Sequence, residues 1–176
     1  SDTAEEIWSK ANRVIAEKKL SPRKLMKQAN TVYVATTDDV ADSLEYHQLL
    51  KNDDTLSAKV TPSFRTDNLL LIRRAGYRSY INKLSEVSGL AITDLASLDA
   101  AIEKRLQFFI QSGCRFTDVG MPFFPDRIGS DAEADLVFKK ALEEEALSDE
   151  EYSSFLGRMY LFFCLLYTSP SPRDGL

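Results

Sequence analysis

Thr31-Val32-Tyr33-Val34-Ala35-Thr36 is a run of apolar and β-branched residues that is followed at once by Thr37-Asp38-Asp39. Such a short run predicts a strand buried in a parallel sheet, and the polar residues mark its end. Two later segments have the same form. Ser57-Ala58-Lys59-Val60-Thr61 reads as a strand stopped by Pro62, and Cys114-Arg115-Phe116-Thr117 reads as a strand that ends at Asp118. We therefore predict three strands.

Helical patterns separate these strands. The clearest one begins after Thr93, its predicted N-cap, and ends before Gly113, which has the position of a C′ glycine. Its apolar stripe comprises Leu95, Leu98, Ile102, Leu106, Phe109 and Ile110. Other helices are expected after the Thr3/Glu6 capping box, from Ser21, around His47, from Asp67 as a cap through Arg73, and over 77–87, 131–147 and 149–163.

Strands that alternate with helices predict parallel βα units. The first two predicted strands start 26 residues apart and the third starts 57 residues later. A (β/α)₈ barrel uses roughly 30 residues per unit, so the first spacing fits and the second carries an insertion. The predicted fold class is α/β, as a partial (β/α)₈ TIM-type barrel of about three parallel strands with surrounding helices.

Composition excludes several classes of function. The 22 Lys and Arg residues against 27 Asp and Glu residues give a net charge of −5, which disfavours a nucleic-acid partner. No apolar run approaches the roughly 18 residues of a membrane helix, and the polar N-terminus shows no signal peptide. Two cysteines, Cys114 and Cys164, cannot build a disulfide framework, and the single His47 cannot build a histidine metal site. We expect a cytoplasmic protein without a membrane partner.

Residues 164–176 differ in character from the chain before them. The segment Cys164-Leu-Leu-Tyr-Thr-Ser-Pro-Ser-Pro-Arg-Asp174 resembles the in-frame translation of a sequencing adapter. The alternative is a natural tail rich in proline and serine. We predict that residues 1–163 are the native portion and that 164–176 are a non-native C-terminal tail.

Functional groups of parallel α/β folds collect at the C-terminal ends of the strands. Here the three strand ends carry Asp38 and Asp39, Arg65, and Asp118. An arginine grips a carboxylate and aspartates accept hydroxyl protons, so this set suits a hydroxylated, anionic small molecule. Aspartate is also a common helix N-cap, which leaves a structural reading open for each of these acids.

At these residues the chain resembles a known family. The stretch Thr36-Thr37-Asp38-Asp39-Val-Ala-Asp-Ser-Leu-Glu-Tyr-His47 is similar to the TTDDPxDSLxxH stretch of uronate isomerases, which belong to the amidohydrolase superfamily. Lys59–Asp67 is similar to the family pattern VLPSWRPD, and Gly113–Asp118 to GC[RK]xSDH. Shorter blocks agree at 4–8, 83–87 and 104–106, so the resemblance covers residues 1–163. The chain departs from the pattern at Phe64, Thr66 and Val119, where the family has Trp, Pro and commonly His.

The resemblance implies the middle of a (β/α)₈ barrel that interconverts D-glucuronate with D-fructuronate and D-galacturonate with D-tagaturonate. It also implies a divalent metal, with zinc as the expected ion, held by an H-x-H pair and an Asp that lie outside this chain. The hexuronate is the expected partner, and the parent protein is expected to be a homo-oligomer. Two other readings stay open: a fragment of a metal-dependent hydrolase, and a non-catalytic helical module that binds a partner.

The resemblance assigns substrate binding to Arg65 and Asp118, whereas no catalytic residue can be assigned. The structural alternative for Arg65 is a salt bridge with Asp67 or Asp118, and for Asp118 it is an N-cap or an Arg65 partner. Asp38 and Asp39 are expected to cap the next helix or to support the rim, by which we mean the C-terminal ends of the three strands. His47 is expected to be a structural or exposed histidine, and Cys114 a buried apolar residue.

Overall fold

The structure, a computed structural model, describes residues 3–121 and 123–168. Its elements in chain order are α1 (Ala4–Glu17), α2 (Pro22–Gln28), β1 (Tyr33–Asp39), α3 (Glu45–Leu50), β2 (Lys59–Arg65), α4 (Asp67–Leu70), α5 (Tyr77–Ser88), α6 (Leu95–Gln111), β3 (Phe116–Asp118), α7 (Asp131–Leu142) and α8 (Asp149–Thr168). None of the helices in these described ranges is long and apolar enough to cross a membrane.

The three strands form one parallel sheet in the order β1-β2-β3. Strands β2 and β3 pair so that Ser63 lies opposite Phe116, and Arg65 lies opposite Asp118. The register therefore places the last residue of β2 beside the last residue of β3. The α/β prediction with three parallel strands is confirmed.

Pro62 does not stop strand β2, and that prediction was wrong. The amide of Lys59 donates to the Val32 carbonyl on the β1 side, whereas the amide of Thr66 donates to the Asp118 carbonyl on the β3 side. Because amides alternate along a strand, position 62 faces the β3 side. Pairing with β3 begins only at Ser63, so the missing amide hydrogen of Pro62 costs no ladder bond.

Several predicted boundaries shift in the structure. Strand β1 continues through Asp39, and β3 begins only at Phe116. Asp94, not Thr93, caps α6, because its carboxylate accepts the Ser97 amide at 2.8 Å in a capping box. Helix α7 ends at Leu142, five residues before the predicted end. Helix α8 begins at Asp149, directly after Ser148 of the predicted Ser148/Glu151 capping box, and continues to Thr168.

The chain divides into two compact units. The first comprises residues 1–36 and 45–61. Its helix α1 begins with the predicted Thr3/Glu6 capping box, yet none of its residues is buried, and the Trp8 side chain is 71% exposed. His47 lies in this unit, where its Nε2 contacts the Thr36 hydroxyl at 2.7 Å. That contact agrees with a structural role for His47.

The second unit comprises residues 37–44 and 62–176, and its described part contains the main hydrophobic core. The ring of Phe64, fully buried in β2, meets that of Phe109 in α6 with ring centroids 5.0 Å apart in an edge-to-face arrangement. Phe138 of α7 stacks on Phe155 of α8. Cys114 is buried and its sulfur lies 3.2 Å from the Phe116 carbonyl, as expected for a small core residue. This core supports the C-terminal ends of the strands.

Candidate functional site

Arg65 and Asp118 meet at the C-terminal edge of the sheet. They are the last residues of β2 and β3, and Nη1 of Arg65 donates to Oδ2 of Asp118 at 2.8 Å. The Arg65 side chain is 40% exposed and that of Asp118 is 43% exposed. The two residues proposed for substrate binding are therefore adjacent, and both reach solvent.

A second carboxylate holds Arg65 from the other side. Nε of Arg65 donates to Oδ2 of Asp67, and the amide of Gly120 donates to Oδ1 of the same carboxylate. Asp67 is the first residue of α4, whose N-cap is Thr66, so Asp67 does not cap this helix as predicted. Its carboxylate instead joins the end of β2 to the loop after β3.

These carboxylates affect the Arg65 guanidinium. The hydrogen bond that Arg65 donates to Asp67 raises the pKa of Arg65, and the charges of Asp67 and Asp118 act in the same direction. The guanidinium is thus a fixed cation. Within the described part of the chain its Nη2 forms no hydrogen bond, so Nη2 can donate to an oxyanion while Nε and Nη1 stay paired with the two carboxylates.

A groove of about 460 Å³ opens beside Arg65. It is lined by Arg65, Asp67, Leu70, Leu71, Gly120, Met121, Tyr152 and Leu156. The polar end is formed by the guanidinium and the Asp67 carboxylate, whereas the rest is largely apolar. A concave site with a few converging polar groups is typical of small-molecule binding.

Asp39 ends strand β1, but its partners differ from those expected. It does not cap α3, which begins only at Glu45. Instead its Oδ1 accepts the Ala41 amide at 2.9 Å and closes a tight turn. An aspartate commonly binds the amide two residues further along the chain, and here α3 begins six residues further along. Asp38 is half-buried near the same strand end.

Three side chains around this turn were missed by sequence reasoning. Asn68 donates to Asp39 at 2.8 Å, the Tyr80 hydroxyl donates to both Asp39 oxygens at 3.1 and 3.2 Å, and Arg105 donates to the Val40 and Asp42 carbonyls at 2.8 and 2.6 Å. A signal for Arg105 was present in the sequence. It lies on the apolar stripe of α6, where a cation requires buried acceptors.

Val119 is half-buried and packs against the core, so the position at which the family commonly has histidine supplies no polar group here. In the described ranges, no group of three or more His, Cys, Asp or Glu side chains could hold a metal ion. The rim acids Asp67 and Asp118 are both engaged by the Arg65 cation, which makes them unsuitable as metal ligands. These residues therefore do not form a metal centre.

The fold and the rim define a class: an α/β chain with part of a TIM-type barrel, whose parallel strands present an arginine and aspartates at one edge. The chain belongs to the glucuronate isomerase family, since the profile of that family matches residues 1–171. It is 38% identical over 161 residues to the uronate isomerase of Endomicrobium trichonymphae, covering 92% of this chain and 34% of that protein. It is 42% identical over 153 residues to that of Caldanaerobacter subterraneus subsp. tengcongensis, covering 87% and 33%.

Solved structures agree with the fold. The uronate isomerase of Thermotoga maritima superposes with a TM-score of 0.82 at 26% identity, over 93% of this chain and 36% of that protein. The glucuronate isomerase of Caulobacter crescentus has the same fold at a TM-score of 0.79 and 22% identity, over 90% and 33%. The chain thus spans about a third of the length of the relatives it matches.

Proposed function

We propose that this chain forms part of an aldose–ketose isomerase that interconverts D-glucuronate with D-fructuronate and D-galacturonate with D-tagaturonate. Membership in the glucuronate isomerase family supports the reaction class. The observation that carries the proposal for this chain is the Arg65 guanidinium, held between Asp67 and Asp118 at the C-terminal edge of the sheet. That edge is where barrel enzymes bind their substrates.

The chemistry moves a proton between C2 and C1 of the sugar through an enediol. It requires a base and a group that polarises the carbonyl, and each must be fixed relative to the substrate. We propose that residues of this chain hold the substrate in that fixed position. Arg65 would bind the uronate carboxylate or a hydroxyl oxygen. Asp118, its partner in the ion pair, would accept a hydrogen bond from a sugar hydroxyl.

Further properties of the complete protein follow from the same proposal. We expect a divalent metal, with zinc as the first candidate, held by residues outside this chain. We also expect a homo-oligomer that works in the cytoplasm on a small-molecule hexuronate, without a membrane or nucleic-acid partner. Residues 1–163 are proposed as the middle of the barrel domain and 164–176 as a non-native tail. Reading the gene past codon 163 tests that boundary.

The test of the site is steady-state kinetics on the complete protein with Arg65→Lys and Arg65→Met. A charge-assisted hydrogen bond contributes about 1.5–3 kcal/mol. We therefore expect kcat/KM for glucuronate to fall roughly ten- to a hundredfold. The lysine variant should also be impaired, because it keeps the charge but loses the planar fork.

Arg115→Met is the matched control. Arg115 is exposed and directly precedes the N-terminal end of β3, whereas Asp118 lies at its C-terminal end. It should retain wild-type kcat/KM. If both Arg65 variants melt normally and keep kcat/KM within a factor of about two, Arg65 is a structural residue and does not bind substrate.

A further inference from the structure

We infer that Asp39 is a positioning residue whose carboxylate, gripped by Tyr80 and Asn68, holds helix α4 and through it the Arg65 guanidinium. The inference rests on the proposed role of Arg65 in substrate binding. It assigns a function to a network that joins the end of β1 to the ends of β2 and β3 through hydrogen bonds within the second unit.

The Asp39 carboxylate is nearly saturated by neutral donors. Oδ1 accepts the Ala41 amide and the Tyr80 hydroxyl, while Oδ2 accepts the Asn68 amide group and the same hydroxyl. An ionised carboxylate has about four acceptor sites, and these three donors, with the Tyr80 hydroxyl shared between the two oxygens, occupy most of them. A carboxylate so engaged is suited to hold its neighbours in place, and poorly suited to accept a proton from substrate.

The donors are themselves fixed. Burial raises the pKa of Tyr80, and the negative charge of Asp39 raises it further, so the phenol stays protonated and donates. Beneath the turn, Arg105 is only 5% exposed, and its guanidinium lies 4.3 Å from the Phe108 ring centroid while it binds the two turn carbonyls. The cost of burying this cation is offset by those hydrogen bonds, which hold the turn rigidly.

Asn68 carries the connection to the candidate site. It lies in α4 directly after Asp67, and Asp67 accepts both the Arg65 Nε and the Gly120 amide. Since α4 is a single turn, a shift of Asn68 moves Asp67 with it. Loss of the Asn68–Asp39 hydrogen bond should therefore change the direction in which Arg65 points.

The experiment exchanges the amide of Asn68 and the carboxylate of Asp39 in the complete protein. Asn68→Asp replaces the 2.8 Å hydrogen bond between Asn68 and Asp39 with two carboxylates that face each other. This change should lower kcat/KM by roughly five- to a hundredfold. Adding Asp39→Asn restores one amide facing one carboxylate, and should return kcat/KM to within about threefold of wild type. Asn82→Asp, the same chemical change on the exposed side of α5, should have no effect.

A second arm separates positioning from general stability. In an Arg65→Met background, Asn68→Asp should cause little further loss of kcat/KM, because its effect acts through Arg65. Full additivity in that background, no loss from Asn68→Asp alone, or no rescue by the exchange would each overturn the inference. Failure of rescue would instead point to Asp39 as a substrate contact. Failure of the proposed function is distinct, since Arg65→Met alone would then leave kcat/KM unchanged.

Discussion

Arg65 and Asp118 are the terminal residues of neighbouring parallel strands, and their side chains form an ion pair of 2.8 Å across the register. Both side chains remain about two-fifths exposed. Exposed ion pairs contribute only about 0–1 kcal/mol to folding, so this pair has little value as a stabilising contact. We propose that its place at the open edge of the sheet serves substrate binding.

The first prediction separates a role of the Arg65–Asp118 pair in stability from a role in substrate binding. Asp118→Asn keeps the shape of the side chain but removes its charge. In the complete protein we expect the free energy of unfolding to change by less than about 1 kcal/mol, while kcat/KM falls roughly tenfold. Thermal melts and steady-state kinetics measure the two quantities.

Asp149→Asn is the control for Asp118→Asn, because Asp149 pairs with Arg73 at 2.8 Å and is fully exposed. It should change neither quantity. An Asp118→Asn protein that loses stability but keeps normal kcat/KM would show that Asp118 is a structural partner of Arg65.

The second prediction concerns the isolated 176-residue chain. Catalysis requires groups from several strand ends held in register, and the described part of this chain contributes three strands. We expect no measurable isomerase activity. The assay compares glucuronate turnover with that of a chain carrying Arg65→Ala, and turnover above this control would contradict the prediction.

The third prediction concerns local stability. Helices α1 and α2 contain no buried residue, whereas α6 and α7 contribute much of the core. In the isolated chain, which we expect to be poorly soluble or only partly ordered, the amides of α1 and α2 should therefore exchange with solvent much faster than those of α6 and α7. Hydrogen exchange with mass spectrometry measures this, and equal protection throughout would show one cooperative domain.

The fourth prediction concerns Gly157 in helix α8. Alanine in place of glycine normally stabilises a helix by about 1 kcal/mol. Here a Cβ at position 157 would overlap the Arg127 carbonyl oxygen and lie 3.0 Å from Cα of Ile128. Gly157→Ala should therefore destabilise the complete protein by about 1–3 kcal/mol.

Thermal melts of Gly157→Ala and Gly157→Ser measure that effect, and the serine variant should lose at least as much stability. A higher melting temperature for Gly157→Ala would mean that the loop before α7 does not approach α8 this closely.

Sequence alone determined much of the local structure of this protein, although several element boundaries and caps were predicted wrongly. The capping boxes at Thr3 and Ser148 and the helix over the Leu95 stripe were predicted correctly, whereas the first strand was predicted over 31–36 and lies at Tyr33–Asp39. Helix periodicity and capping depend on residues within one or two turns, so a short window of sequence contains the necessary information. The α/β class followed from the alternation of these local elements.

Only the tertiary structure decided what the polar residues at the strand ends contact. Asp39 binds Asn68 and Tyr80, which lie 29 and 41 residues away in the chain, and Arg65 reaches Asp118 across 53 residues. Pro62 could remain inside a strand because its neighbour β3 begins one residue later in the register. A carboxylate or guanidinium can bind whatever donor or acceptor lies nearest, so its partner depends on how distant segments pack and not on its neighbours in sequence.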